Sequence, residues 1–239
     1  MPPAPAIHRT AIVAPDVVVG AGSIIGPYVV VLGPCTIGEC CWIGPSTVIG
    51  ATGEHVEHMV VQSVPDGPPP TDEDIWFGSH GEGVVIGDRT IIRELSTVQS
   101  GTLAPTRIGD DVFIMNKAHV AHDAVVGDRV RMAPYATLGG HVVVQDDANV
   151  GMAAAVHQWR LVGLGAMVGM SSTVVKDVRP YELVKGSPAR GGAVNRVQLE
   201  NHGVGADDVA ALAAHYRGEA ETAPERFQEA LAAWEAQRR

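Results

Sequence analysis

Aromatic residues are scarce, at 5% of the 239 residues, although 46% of the chain is hydrophobic. A core of large rings is excluded; stacked small aliphatics fit that composition better. Cysteine is scarce as well: Cys35, Cys40 and Cys41 are odd in number and show no C-x-x-C spacing, which argues against a disulfide framework or a thiolate metal site. They read as reduced thiols. No apolar run is long enough to span a membrane. The opening Met1-Pro2-Pro3-Ala4-Pro5 has neither the charged nor the apolar region of a signal peptide, so a cytoplasmic location is expected. Positive charge is short: 17 Lys+Arg against 27 Asp+Glu leave a net charge of −10. That argues against a nucleic-acid surface while leaving room for local basic pockets that hold phosphates.

What is abundant is glycine, with 28 residues, and an aliphatic beat. Ile7, Val13, Val19, Ile25, Val31, Ile37, Ile43 and Ile49 recur every six residues, and the beat runs again from Ile108 through Ile114, Val120, Val126 and Met132 to Val174. A period of six is neither helical nor a plain strand alternation, so it is a repeat. It predicts a mainly β architecture, a parallel β-helix of triangular coils with three hexads each. Successive coils should stack at about 4.8 Å. Gly follows the aliphatic in Ile25-Gly26, Ile37-Gly38 and Ile43-Gly44, where its backbone freedom suits a corner.

The beat breaks near 51–84, a stretch with Pro65, Pro68, Pro69, Pro70 and the acidic run Asp72-Glu73-Asp74. This reads as an excursion loop, either functional or a disordered insertion. A short insertion near 101–106 then shifts the beat by four residues to Ile108. After Pro180 the pattern changes: Gly186-Ser187-Pro188-Ala189-Arg190 reads as an exit turn. Val209, Leu212, Ala213 and Tyr216 follow helical spacing, and a second helix is expected near Pro224 with Phe227, Leu231 and Trp234 on one face. The expected division is a β-helix domain over 1–190 and a small C-terminal α-helical region over 191–239.

An eighteen-residue coil also predicts columns. His122, Gly140 and Gln158 share one, Asp123, His141 and Trp159 the next, and His157 lies in register with Gly139 and Ala121. His119 ends the preceding hexad. Each histidine alone reads most simply as a surface or interface residue; together they suggest a site. A neutral His beside an Asp is the usual device for taking a proton from a hydroxyl at neutral pH. A glycine one coil away lets a backbone N–H approach a developing oxyanion. No G-x-S-x-G elbow points to a serine nucleophile.

The run Asn116-Lys117-Ala118-His119-Val120-Ala121-His122-Asp123, the step Gly139-Gly140-His141 and the run Gly151-Met152-Ala153-Ala154-Ala155-Val156-His157-Gln158 closely resemble the UDP-N-acetylglucosamine O-acyltransferases of lipid A biosynthesis. The resemblance implies a left-handed β-helix, a homotrimer and a site in each cleft between subunits. It implies His122 as general base, Asp123 as its orienting partner or a sugar contact, and Gly140 as oxyanion donor. His119, His141, His157 and Gln158 would line the substrate pocket, and Asp74 would face the sugar. Met167 and Met170 would lie along the acyl-chain groove. The donor would be an acyl thioester on acyl carrier protein or CoA, and no metal or organic cofactor would be needed.

Some positions depart from that family. Trp76 stands where a Lys is expected, Gln99 replaces a His, and Leu199-Glu200-Asn201-His202 stands where a basic pair is expected beside the nucleotide phosphates. A specialised acyltransferase for a non-UDP acceptor is therefore the alternative. A further alternative is a metal-dependent protein, because some hexapeptide helices resembling gamma-type carbonic anhydrases hold zinc through three histidines. A non-catalytic scaffold is the remaining one.

Overall fold

The computed structural model of the chain describes residues 3–53 and 81–238. The aliphatic beat does what its spacing predicts. Each beat residue lies in a two- to four-residue strand, and the strands form three parallel sheets, the faces of a triangular prism of about eight coils. The first face runs from Ala6–Ile7 to Met167–Val168, the second from Ile12–Val13 to Thr173–Val174, and the third from Val17–Val19 to Leu161–Val162. Register confirms the eighteen-residue coil: His119 pairs with Thr137 and Thr137 with Ala155. Where the beat slips by four, the register absorbs it, with Thr97 opposite His119. The fold is a left-handed parallel β-helix. Its axis is one column of aliphatics from Ile25 to Val184, nearly all without exposed surface. A stack of this kind needs no rings, which explains the scarcity of aromatics.

The corners correct one expectation. Gly26, Gly38 and Gly44 do not supply the unusual backbone angles; other residues do. The left-handed region is entered at Lys117, Asp123, Arg129, Tyr135, His141, Asp147, Ala153 and Trp159, at φ of 53–63°. The glycine after the beat is required for space instead: a Cβ on Gly44 would lie 2.6 Å from the backbone nitrogen of Glu94 in the next coil. Along the edge between the third and first faces, these glycines make room for a carboxylate ladder. The N–H of Glu39 donates to Asp88, that of Asp88 to Asp110, that of Asp110 to Asp128, and that of Asp128 to Asp146, at 2.8–3.0 Å.

The prism ends in an antiparallel hairpin, Glu182–Lys185 with Arg190–Val194, which extends the first face. The exit turn at 186–190 is its connection. Helices α1 (Arg196–Asn201), α2 (Ala206–Tyr216) and α3 (Glu225–Gln237) follow. Val209, Leu212, Ala213 and Tyr216 are buried as their spacing predicts, and so are Phe227 and Trp234. All of these but Trp234 share a second small core with Tyr181, Val194 and Leu199. The helices therefore pack on the prism's own end. No helix among the described residues is long and apolar enough to cross a membrane.

Candidate active site

His122 and Asp123 leave the second face at its corner with the third face, just after the strand His119–Val120. Gly140 and His141 occupy the same corner one coil on, and Gln158 and Trp159 the next. Four of the expected residues meet there. Asp123 Oδ2 lies 2.7 Å from His122 Nδ1. His141 Nε2 is 3.8 Å from the same oxygen, and its ring sits edge-on to His122 at 5.1 Å. Gly140 lies directly against the His122 ring: a Cβ there would be 2.7 Å from both Cε1 and Nε2. Gly53 backs the same histidine, where a Cβ would fall 2.7 Å from His122 Cβ.

Sequence reasoning missed what holds Asp123. The backbone N–H groups of Thr102, Leu103 and Ala104 all donate to its carboxylate, at 2.7–3.1 Å, and Thr102 Oγ1 adds a bond of 2.6 Å. The Asp123 N–H in turn donates to Thr106 Oγ1. These donors come from the four-residue slip in the beat. The insertion is a carboxylate nest; the slip in the beat signals the insertion but not the nest. Burial alone would raise the Asp123 pKa, but the bonds from Thr102, His122, Leu103 and Ala104 outweigh it and hold the carboxyl well below its usual range. An ionised Asp123 can only accept in its bond with His122, so Nδ1 is the donor there. That fixes the tautomer and leaves the Nε2 lone pair facing Gly140. The His122 side chain is 11% exposed.

The remaining expected residues are spread more widely. His119 stands on the second face, its Nδ1 2.7 Å from Thr97 Oγ1. Thr97, not Gln99, is the residue one coil before His119. Gln99 instead accepts from the His122 N–H at 3.2 Å. His157 and Gln158 are exposed at the upper end of the corner, and Trp159 stacks on His141 at 3.7 Å with the rings 7° from parallel. Met167 lies on the first face, and Met170, 70% exposed, lies at the corner between the first and second faces. One chain does not bring those methionines to His122. Asp74 and Trp76 lie outside the described residues.

A metal centre fits this cluster poorly. His122, Asp123 and His141 place ligand atoms within 4.8 Å of one another. Both Asp123 oxygens, however, are already occupied by four donors of the 102–104 nest and by His122 Nδ1. A divalent cation would have to displace that network to gain a carboxylate ligand.

A family described as bacterial transferase hexapeptide (six repeats) matches residues 105–140. The acyl-[acyl-carrier-protein]–UDP-N-acetylglucosamine O-acyltransferase of Thiobacillus denitrificans is 35% identical over 215 residues, covering 88% of this chain and 83% of that protein. The chain belongs to the UDP-N-acetylglucosamine O-acyltransferase family. It is an acyltransferase of the hexapeptide-repeat type. The Campylobacter concisus member is 34% identical over 203 residues, 81% of this chain and 75% of that one. Among solved structures, the Francisella novicida acyltransferase superposes with a TM-score of 0.69 at 25% identity, covering 88% of this chain and 78% of that one. The Arabidopsis acyltransferase gives 0.68 at 27%, covering 96% and 89%.

Proposed function

We propose that the protein moves an acyl group from the thioester of an acyl carrier protein to a hydroxyl of UDP-N-acetylglucosamine, with His122 as general base. The observation that carries this reading is the pairing of His122 Nδ1 with an ionised Asp123, while Nε2 faces Gly140. Nε2 takes the proton of the acceptor hydroxyl as its oxygen attacks the thioester carbonyl. The Gly140 backbone N–H lies where the oxyanion forms, and the proton then passes from His122 to the departing thiol. Asp123 steadies the imidazolium between those steps. His119, His141, His157 and Gln158 line the approach.

The names of the relatives support this donor and this acceptor. A coenzyme A thioester is the other donor of the same chemistry. One observation favours a different acceptor. At the place of the expected basic pair, His202 is engaged inside its own chain, 2.9 Å from Tyr181 Oη, 3.5 Å from Asp147 Oδ2 and 3.2 Å from Gln198 Nε2. A chain whose phosphate contacts are used this way suits an amino-sugar acceptor without UDP.

The chain assembles as a homotrimer. Met170 and His122 stand on different corners of one prism, so a groove holding both needs a second copy, and clefts between subunits commonly hold such sites. His122→Ala should lower turnover roughly 10²–10⁴-fold, the span for loss of a general base, with the fold kept. Turnover near that of the parent would remove His122 from the mechanism.

A further inference from the structure

Above the catalytic corner, where the prism meets α3, lies a cavity of about 420 Å³ that the acyl-transfer mechanism does not use. Its charges do not balance. Glu182 is taken by Arg179 at 2.7 Å and by the Gly192 N–H. Asp177 is taken by the Leu161 N–H, by Arg160 at 3.4 Å and by Arg238 at 3.5 Å. Arg238 also holds Glu235, at 2.8 Å. Every carboxylate lining the cavity is therefore engaged. Lys176 and Arg190 line it too, and among the described residues neither meets a carboxylate. The four cations and three carboxylates of the lining leave a net positive concavity, with those two cations meeting no carboxylate, on a chain with net charge −10. The wall behind them also carries a buried polar atom without a partner, Trp234 Nε1.

The cavity is placed by the coil. Lys176 leaves the strand Thr173–Val174 two residues after its beat valine, as His122 leaves His119–Val120. Those strands are separated on the second face by Thr137–Leu138 and Ala155–Val156. Lys176 thus stands three strand spacings above His122 on one edge, about 14 Å.

We propose that this cavity is a phosphate subsite, in which Lys176 and Arg190 bind a phosphoryl group of a substrate held at His122. The choice of substrate rests on the acyl-transfer reading, whereas the affinity for phosphate does not. Two phosphates are available in that reaction, the one on the carrier arm of the thioester donor and the diphosphate of a nucleotide-sugar acceptor. A guanidinium and an ammonium suit either, the first as a planar fork and the second as a point charge.

Titration calorimetry of the full chain with inorganic pyrophosphate and with coenzyme A tests the subsite. The parent should bind both. Lys176→Ala with Arg190→Ala should weaken both by well over tenfold, the loss of two charge-assisted contacts at roughly tenfold each, and Lys176→Arg alone should keep most of the parental affinity. Arg190→Gln alone, at an exposed side chain, serves if the double variant misfolds. Equal pyrophosphate affinity in parent and variants, or no binding of either probe to the parent, would overturn the proposal. In steady-state assays, a higher KM for the thioester alone assigns the subsite to the carrier arm. A higher KM for the acceptor alone assigns it to the nucleotide. Should the parent show no acyl transfer, the pyrophosphate titration still decides the subsite separately from that reading.

Discussion

Asp123 carries three demands at one residue: a left-handed backbone at φ 58°, a carboxylate filled with donors, and the orientation of His122. Asp is among the few side chains that enter that backbone region readily. Its lowered pKa makes a stability claim with a definite sign. A carboxyl held below its unfolded value of about 3.9 contributes stability that is complete above that pH and is lost as pH falls from there toward the folded value. Asp123→Asn should therefore flatten the acid limb of the stability curve: thermal unfolding at neutral pH and near pH 3 should differ less in the variant than in the parent. Turnover should fall as well, because an amide no longer fixes the His122 tautomer. Gly140→Ala is the sharper steric probe. Its methyl would meet the His122 ring at 2.7 Å, so kcat should collapse while the melting temperature changes little. A variant with parental kcat would show that the ring has somewhere else to go.

A coil is the element here, and most of its content was legible. The spacing of six gave the strands, the spacing of eighteen gave the corner where His122, Asp123, Gly140 and His141 meet, and the tail's helical spacing gave α2 and α3. The carboxylate nest was not legible, because an insertion in a repeat announces a loop but not what its N–H groups face. Helix α1 was missed because its six residues bury only Leu199, too little apolar periodicity to register. The corner glycines were read for the wrong property, since sequence cannot separate a need for backbone freedom from a need for space. The positions that do turn the corner have their own signature: among the described residues, no non-glycine residue with positive φ is Val, Ile or Thr, in a chain otherwise rich in them. A β-branched side chain is disfavoured there. Ala153→Val should accordingly destabilise by at least about 1 kcal/mol, read as a lower denaturation midpoint, although Val on the neighbouring strands is well tolerated.

At the scale of the whole molecule, assembly and chain-length preference are tied together. If the groove joins His122 of one copy to Met170 of another, sedimentation should give a trimer at micromolar concentration, and Met170→Gly should shift preference toward longer acyl donors. Each methylene newly buried is worth about 0.8 kcal/mol. Unchanged donor selectivity would reduce Met170 to a surface residue. The same packing governs the thiols. Cys35 and Cys41 are buried and Cys40 is exposed. Burial, helped by Asp16, pushes the Cys35 thiol up to about 12, and burial raises Cys41 as well. A thiol reagent should titrate one cysteine in the native protein and three after denaturation.

The carboxylate ladder along the far edge has a direction. In each rung the N–H belongs to the earlier coil and the carboxylate to the later one, from Glu39 with Asp88 through to Asp128 with Asp146. A ribosome delivers those coils in the same order. Each of these four rungs therefore keeps an open donor until the carboxylate of the following coil has been synthesised. Between Glu39 and Asp146 this edge is thus closed, rung by rung, by the side chain that arrives next.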